Sequence, residues 1–90
     1  MDDPNNTIFK LRVITPKQTL FEGEAVSISS VNSQGKFDIL AQHANFITLV
    51  ENQNIDATLA DKQTLHFKFH QAIIYNYKNV VSIFAEPLSS

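Results

Sequence analysis

Gly35-Lys36-Phe37-Asp38-Ile39-Leu40-Ala41-Gln42-His43-Ala44-Asn45-Phe46-Ile47-Thr48-Leu49-Val50 reads as a short strand, a polar loop and a second strand. Phe37, Ile39, Phe46, Thr48 and Val50 fall at the even spacing that puts residues on one face of a pleated strand. Between them, Ala41-Gln42-His43-Ala44-Asn45 is small and polar with no apolar period, so the chain crosses the surface there. A loop fixed between two half-buried strands is where sheet proteins commonly carry recognition.

The same two-residue period runs outward in both directions. Toward the N-terminus, Thr7 to Ile14 alternates, with Phe9, Leu11 and Val13 inward and Lys10 and Arg12 toward water. Thr15-Pro16-Lys17 stops that strand, because proline fixes φ and lacks an N–H. Gln18 to Glu24 predicts a short strand or a bulged one, with Gly23 marking the irregularity. A separate strand follows from Ala25 to Val31, with Val26 and Ile28 sharing one face. Asn32-Ser33-Gln34-Gly35 is a turn in which Gly35 supplies a positive φ.

Toward the C-terminus, Glu51 to Asn54 is a polar turn, Ile55 to Leu59 alternates, and Ala60 to Gln63 turns again. Thr64 to His70 is the cleanest alternation, with Leu65, Phe67 and Phe69 inside and His66, Lys68 and His70 outside. Ile73 to Tyr77 is a strand with one bulky face, Lys78-Asn79 has the form of a two-residue hairpin loop, and Val80 to Phe84 closes the set. The expectation is an all-β domain: an antiparallel sandwich of eight to ten strands over residues 8–87, after a frayed 1–7 and before a tail at 88–90. With only two glycines, asparagine is expected to fill left-handed turn positions.

Composition excludes several classes of function. Ninety residues hold one core. No cysteine is present, which excludes disulfides and thiolate metal sites. The net charge is −2, and the seven lysines and arginines are scattered, so no basic stripe exists to follow a phosphate backbone. The acidic, polar start is unlike a signal peptide, and no apolar run approaches the roughly 20 residues of a membrane span. The reading is a soluble, cytoplasmic protein.

Reactive chemistry finds little support. His66 and His70 stand roughly 13 Å apart along a strand, too far to share a zinc ion with nitrogens held at about 2.0–2.1 Å. No Gly-x-Ser-x-Gly elbow, paired-carboxylate spacing or phosphate-cradling glycine loop is present. We therefore expect no catalytic residue, no metal and no cofactor. His43 stays open among surface histidine, loop-packing hydrogen bonder and contact residue. The face of Ile73, Tyr75 and Tyr77 stays open between core and docking surface.

Three segments in order carry a resemblance: Phe9-Lys10-Leu11-Arg12-Val13-Ile14-Thr15-Pro16, Leu20-Phe21-Glu22-Gly23-Glu24-Ala25, and Gly35 through Asn45. Together with Val81-Ser82-Ile83-Phe84-Ala85-Glu86 they resemble the epsilon subunit of F-type ATP synthases over about residues 8–87. That family carries a Pro-Gly where Ala41-Gln42 stands here, a glycine at Asp38, a proline at Asn45 and a Gly-Gly at Gln71-Ala72. Lys36 occupies a position that is often acidic. Family members usually add two C-terminal helices that resemble a regulatory arm and bind ATP in some members.

The resemblance implies a non-catalytic central-stalk subunit that couples the gamma subunit to the c-ring of a rotary ATPase, at the inner face of an energy-transducing membrane. It implies catalytic subunits as indirect partners, with no nucleic acid and no membrane insertion. It also implies that Gly35, Lys36, Phe37, Asp38, Gln42, His43, Ala44 and Asn45 contact gamma or the ring. The competing expectation is a free-standing β-sandwich adaptor, and a small enzyme using His43 stands third.

Overall fold

A computed structural model describes residues 7–86. Within them the chain forms eight strands: β1 (Phe9–Ile14), β2 (Thr19–Asn32), β3 (Gly35–Leu40), β4 (Phe46–Glu51), β5 (Asn54–Leu59), β6 (Thr64–Lys68), β7 (Gln71–Tyr77) and β8 (Val80–Glu86). The expected frayed start, apart from Thr7, and the expected tail lie outside the described residues. Among those described, no helix is long and apolar enough to cross a membrane.

Every strand pair is antiparallel except β1 with β8, which run parallel. Sequence alternation says nothing about which strands meet, and this pair joins the two chain ends across the fold. The order is β4-β7-β8-β1-β2-β5-β6, and β3 also pairs with β2. Ser27 is partnered by both Leu40 of β3 and Thr58 of β5, so the second half of β2 is flanked on both sides. β2 thereby belongs to two layers, one with β1, β8, β7 and β4, the other with β3, β5 and β6.

The two strands expected at 18–24 and 25–31 are one strand of 14 residues. Gly23 is not a bulge: it pairs in regular register with Leu11. A Cβ at Gly23 would stand 2.8 Å from Cζ of Phe21, so the missing side chain leaves room for the Phe21 ring. The irregularities lie at Leu20, the extra residue between Val13↔Phe21 and Ile14↔Thr19, and at Val26, where the register steps from Ala25↔Leu59 to Ser27↔Thr58, two residues against one. An extra residue bends a strand and reverses its alternation. Ala25 is buried before the bulge, and Ile28 and Ser30 after it. Val26 is only half-buried and does not share the fully buried face of Ile28. This bend lets β2 pass from one layer to the other.

The inward residues follow the alternation elsewhere. Leu11, Val13, Ile28, Ile55, Ile74, Val81 and Ile83 are fully buried in one cluster, and burying such a side chain is worth about 1.5–3 kcal/mol. Phe37 and Phe46 pack against its margin with ring centroids 5.7 Å apart.

The turns use left-handed residues, though not asparagine alone. Lys78 (φ 50°) and Asn79 (φ 66°) form the two-residue hairpin between the paired Tyr77 and Val80, the geometry that matches strand twist. Asn52 takes φ 54° and Gly35 φ 117°, but Gln42 (φ 65°) and Lys62 (φ 75°) also occupy this region. Low glycine content is thus met partly by residues that carry a steric cost there.

Candidate functional site

The loop after β3 is bound at several points to the β7–β8 hairpin. The backbone N–H of His43 donates to Leu40 O at 3.1 Å. Asn76, buried in β7, donates through Nδ2 to His43 O (3.2 Å) and Ala44 O (3.1 Å). Asn79 Oδ1 accepts from Gln42 N at 2.8 Å, while Asn79 Nδ2 donates to Ile8 O at 2.9 Å. Asn45 Oδ1 accepts from Lys78 N at 2.9 Å. Side-chain amides thus supply the connections that tie this glycine-free and proline-free loop to the hairpin.

His43 itself is half-buried rather than a free tip. Its ring stands edge-on to Phe46, centroids 5.5 Å apart, and Nδ1 lies 2.8 Å from Ala44 O. Gln42, Ala44 and Asn45 are exposed around it.

The predicted contact residues divide between two places. Gly35 and Lys36 sit at the start of β3, Phe37 points inward, and exposed Asp38 accepts from Ser29 Oγ at 2.5 Å. Roughly 13 Å of extended strand separates Lys36 from Leu40, the residue to which His43 is tied. Lys36, Asp38, Ser29, Asn54 and Asp56 line a polar cleft of about 440 Å³ on the second layer. Beside it His66 Nδ1 lies 2.7 Å from Asp56 Oδ1. Among the described residues, no group of three or more His, Asp or Glu is placed to hold a metal ion.

A larger surface lies on the outer side of β4, β7 and β8. Register places Leu49, Ile73, Phe84 and Ile14 in one cross-strand row, and Ile47, Tyr75, Ser82 and Arg12 in the next. Tyr77, Val80 and Lys10 form a third row, and Glu51, Gln71 and Glu86 a fourth. Ile47, Leu49, Ile73, Tyr75, Tyr77, Val80 and Phe84 are each 37–65% exposed. The Tyr75 and Tyr77 rings lie nearly parallel, centroids 6.0 Å apart, with Lys78 Nζ 5.3 Å from the Tyr77 ring. A shallow groove of about 390 Å³ crosses the patch between Ile14, Pro16, Leu49, Ile73 and Phe84.

This surface is an apolar centre bordered by charge: Lys10, Arg12 and Lys78 toward the hairpin, Glu51 and Glu86 at the other end. Contiguous apolar patches rimmed by polar groups mark interaction sites. The sequence reading had the face of Ile73, Tyr75 and Tyr77 but left out Ile47, Leu49, Val80 and Phe84. The available signal was their place on the outward phase of strands whose inward phase is already apolar.

The family described as ATP synthase, Delta/Epsilon chain, beta-sandwich domain, matches residues 8–89. The chain belongs to that family. The ATP synthase epsilon chain of Clostridium botulinum (strain Eklund 17B / Type B) is 32% identical over 78 residues, covering 87% of this chain and 58% of that protein. The ATP synthase epsilon chain of Chlorobium limicola is 26% identical over 81 residues, covering 90% of this chain and 92% of that one. For most of the curated relatives it matches, the chain spans about half their length.

A chain of the Euglena gracilis mitochondrial ATP synthase structure has the same fold, with a TM-score of 0.79 at 13% identity over 94% of this chain and 59% of that chain. Family membership gives the sandwich its class. At Ala41-Gln42, Gln42 itself adopts the left-handed conformation.

Proposed function

We propose that the chain is a non-catalytic central-stalk subunit of a rotary ATP synthase, joining the gamma subunit to the c-ring. A stalk subunit needs a stiff body and adhesive surfaces rather than a reactive group. The observation that carries this reading is the outward apolar face of β4, β7 and β8, in a member of the epsilon-chain family. The loop from Gln42 to Asn45 abuts the hairpin end of that face through Asn76, Asn79 and Lys78. It extends the contact, with Gly35 to Asp38 offering a second, polar one. The subunit sits at the cytoplasmic, inner face of an energy-transducing membrane as a peripheral component.

The test is recovery of the complex. A tagged chain expressed in its own cells co-purifies with gamma, the c-ring and ATPase activity. Ile73→Asp with Tyr75→Asp abolishes that recovery while the isolated domain melts within a few degrees of the parent, because both side chains already face water. Lys36→Glu with His43→Ala weakens recovery to a lesser degree. Unchanged recovery of gamma with the double aspartate variant removes the proposal.

A further inference from the structure

The outward face of β4, β7, β8 and β1 is ordered by charge along its strands. Its hairpin end carries Lys10 and Lys78, neither of which forms an ion pair among the described residues. Glu24 stands opposite Lys10 in register without closing one. The other end carries exposed Glu51 and Glu86. Arg12 lies between, its charge already matched by Glu22 at 3.6 Å. Two rows separate the ends: Ile47, Tyr75 and Ser82 in one, Leu49, Ile73, Phe84 and Ile14 in the other.

Such a face is complementary to itself. A two-fold axis crossing the strands between these two rows lays a second copy on the first with its strands reversed. Each row then meets the other row of the second copy, and the basic end meets the acidic end. Val80 lies over Glu86 of the second copy, which brings Lys10, one strand aside in register with Val80, beside that carboxylate. Lys78 falls near Glu51 of the second copy by the same operation. An axis along the strands would instead lay both basic ends together, so charge selects the first arrangement.

Shape agrees with charge. The groove of about 390 Å³ runs through the row of Leu49, Ile73 and Phe84. The row laid over it offers Tyr75, 40% exposed and stacked on Tyr77 with centroids 6.0 Å apart. Phe84 meets the small Ser82 of the second copy. Aromatic side chains that enter a groove at the centre of a contact are its usual anchors.

We propose that the unassembled chain forms a two-fold dimer through this face, with Tyr75 of each copy seated between Ile73 and Phe84 of the other and Lys10 paired with Glu86 across the contact. The dimer does not depend on the stalk reading. It is a state in which the free chain covers its own adhesive face, and binding of gamma through that face requires the two copies to separate. Four rows on four short strands make a small interface, at the low end of about 1,200 Å² in total, and a Kd of about 10–100 µM is expected.

Sedimentation equilibrium of the isolated 90-residue chain from about 1 to 500 µM brackets that Kd. Tyr75→Ser weakens association at least about 10-fold, as loss of an aromatic anchor does. Its melting temperature at about 1 µM, where the parent is monomeric, stays within a few degrees of the parent. Lys10→Glu or Glu86→Lys alone weakens association about 5- to 10-fold, because each contact occurs twice. The two changes in one chain restore it to within about 3-fold of the parent.

A parent that stays monomeric to about 500 µM overturns the dimer. So does a dimer that Tyr75→Ser leaves intact, or a pair of charge reversals that does not rescue. In each of these cases, recovery of gamma and ATPase activity with the tagged chain still upholds the stalk reading. Loss of that recovery beside an intact dimer overturns the stalk reading alone.

Discussion

Asn76 holds its carboxamide nitrogen 3.2 Å from the carbonyl oxygen of His43, joining the hairpin end of β7 to a loop more than thirty positions earlier in the chain. The same nitrogen reaches Ala44 O at 3.1 Å. One buried amide therefore ties two successive carbonyls of the loop to β7, beside the bonds made by Asn79 and Asn45. Sequence distance concealed this link, because alternation leaves the phase of Asn76 open and names no partner for it.

Asn76→Ala removes both donated bonds and leaves His43 O without its partner. Losing a partner inside a fold costs about 1–3 kcal/mol. The domain is expected to lose about 2 kcal/mol by urea denaturation, with faster amide exchange at Gln42 and His43. Full stability with unchanged exchange would show that the loop is held by other contacts.

Gln42→Gly relieves a left-handed conformation, φ 65°, in a residue with a Cβ. That conformation costs roughly 1–2 kcal/mol, and glycine returns part of it as unfolded-state entropy, roughly 0.5–1 kcal/mol. A net gain of about 0.5–1 kcal/mol is expected from equilibrium melts. A loss would mean that the exposed Gln42 side chain makes a stabilising contact.

Gly23 and Phe21 form a coupled pair. Gly23→Ala drives a methyl toward the Phe21 ring, 2.8 Å from its Cζ, and is expected to cost about 1 kcal/mol in the parent. With Phe21→Ala already made, the same change becomes neutral or slightly stabilising, as alanine narrows the unfolded chain. A double-mutant cycle reads the coupling directly. Additivity would place the strain of Gly23→Ala somewhere other than the ring.

Ile73 and Ile74 are chain neighbours on opposite faces, 43% and 0% exposed. Ile74→Ala opens a core cavity and costs about 2–5 kcal/mol. Ile73→Ala stays within about 1 kcal/mol in the isolated domain and registers only where a partner covers that face. Equal costs in the isolated domain would show that the outer face is already covered within the chain.

The residues by themselves determined the strand class, the inward set and most turns. A period of two, interrupted by proline and polar clusters, is a local property that burial on one face enforces. Phe9, Leu11, Val13 and Phe69 were legible for that reason, as was the hairpin at Lys78-Asn79, where the turn must match strand twist. The Val26 bulge was not legible, because an extra residue is defined against a partner strand and β5 lies thirty positions away.

The role of Gly23 was hidden similarly, since room for a ring and a bulge leave the same residue in the sequence. Tertiary structure alone decided that Lys36 and His43 serve different ends of β3. It decided too that Ile47, Leu49, Ile73 and Phe84 form one surface: exposure of each follows from its phase, but their adjacency follows from β4, β7 and β8 pairing out of chain order. The loop around His43 is placed by long-range amide bonds from Asn76 and Asn79. No local rule encodes these, because a side-chain hydrogen bond selects its partner by position in space.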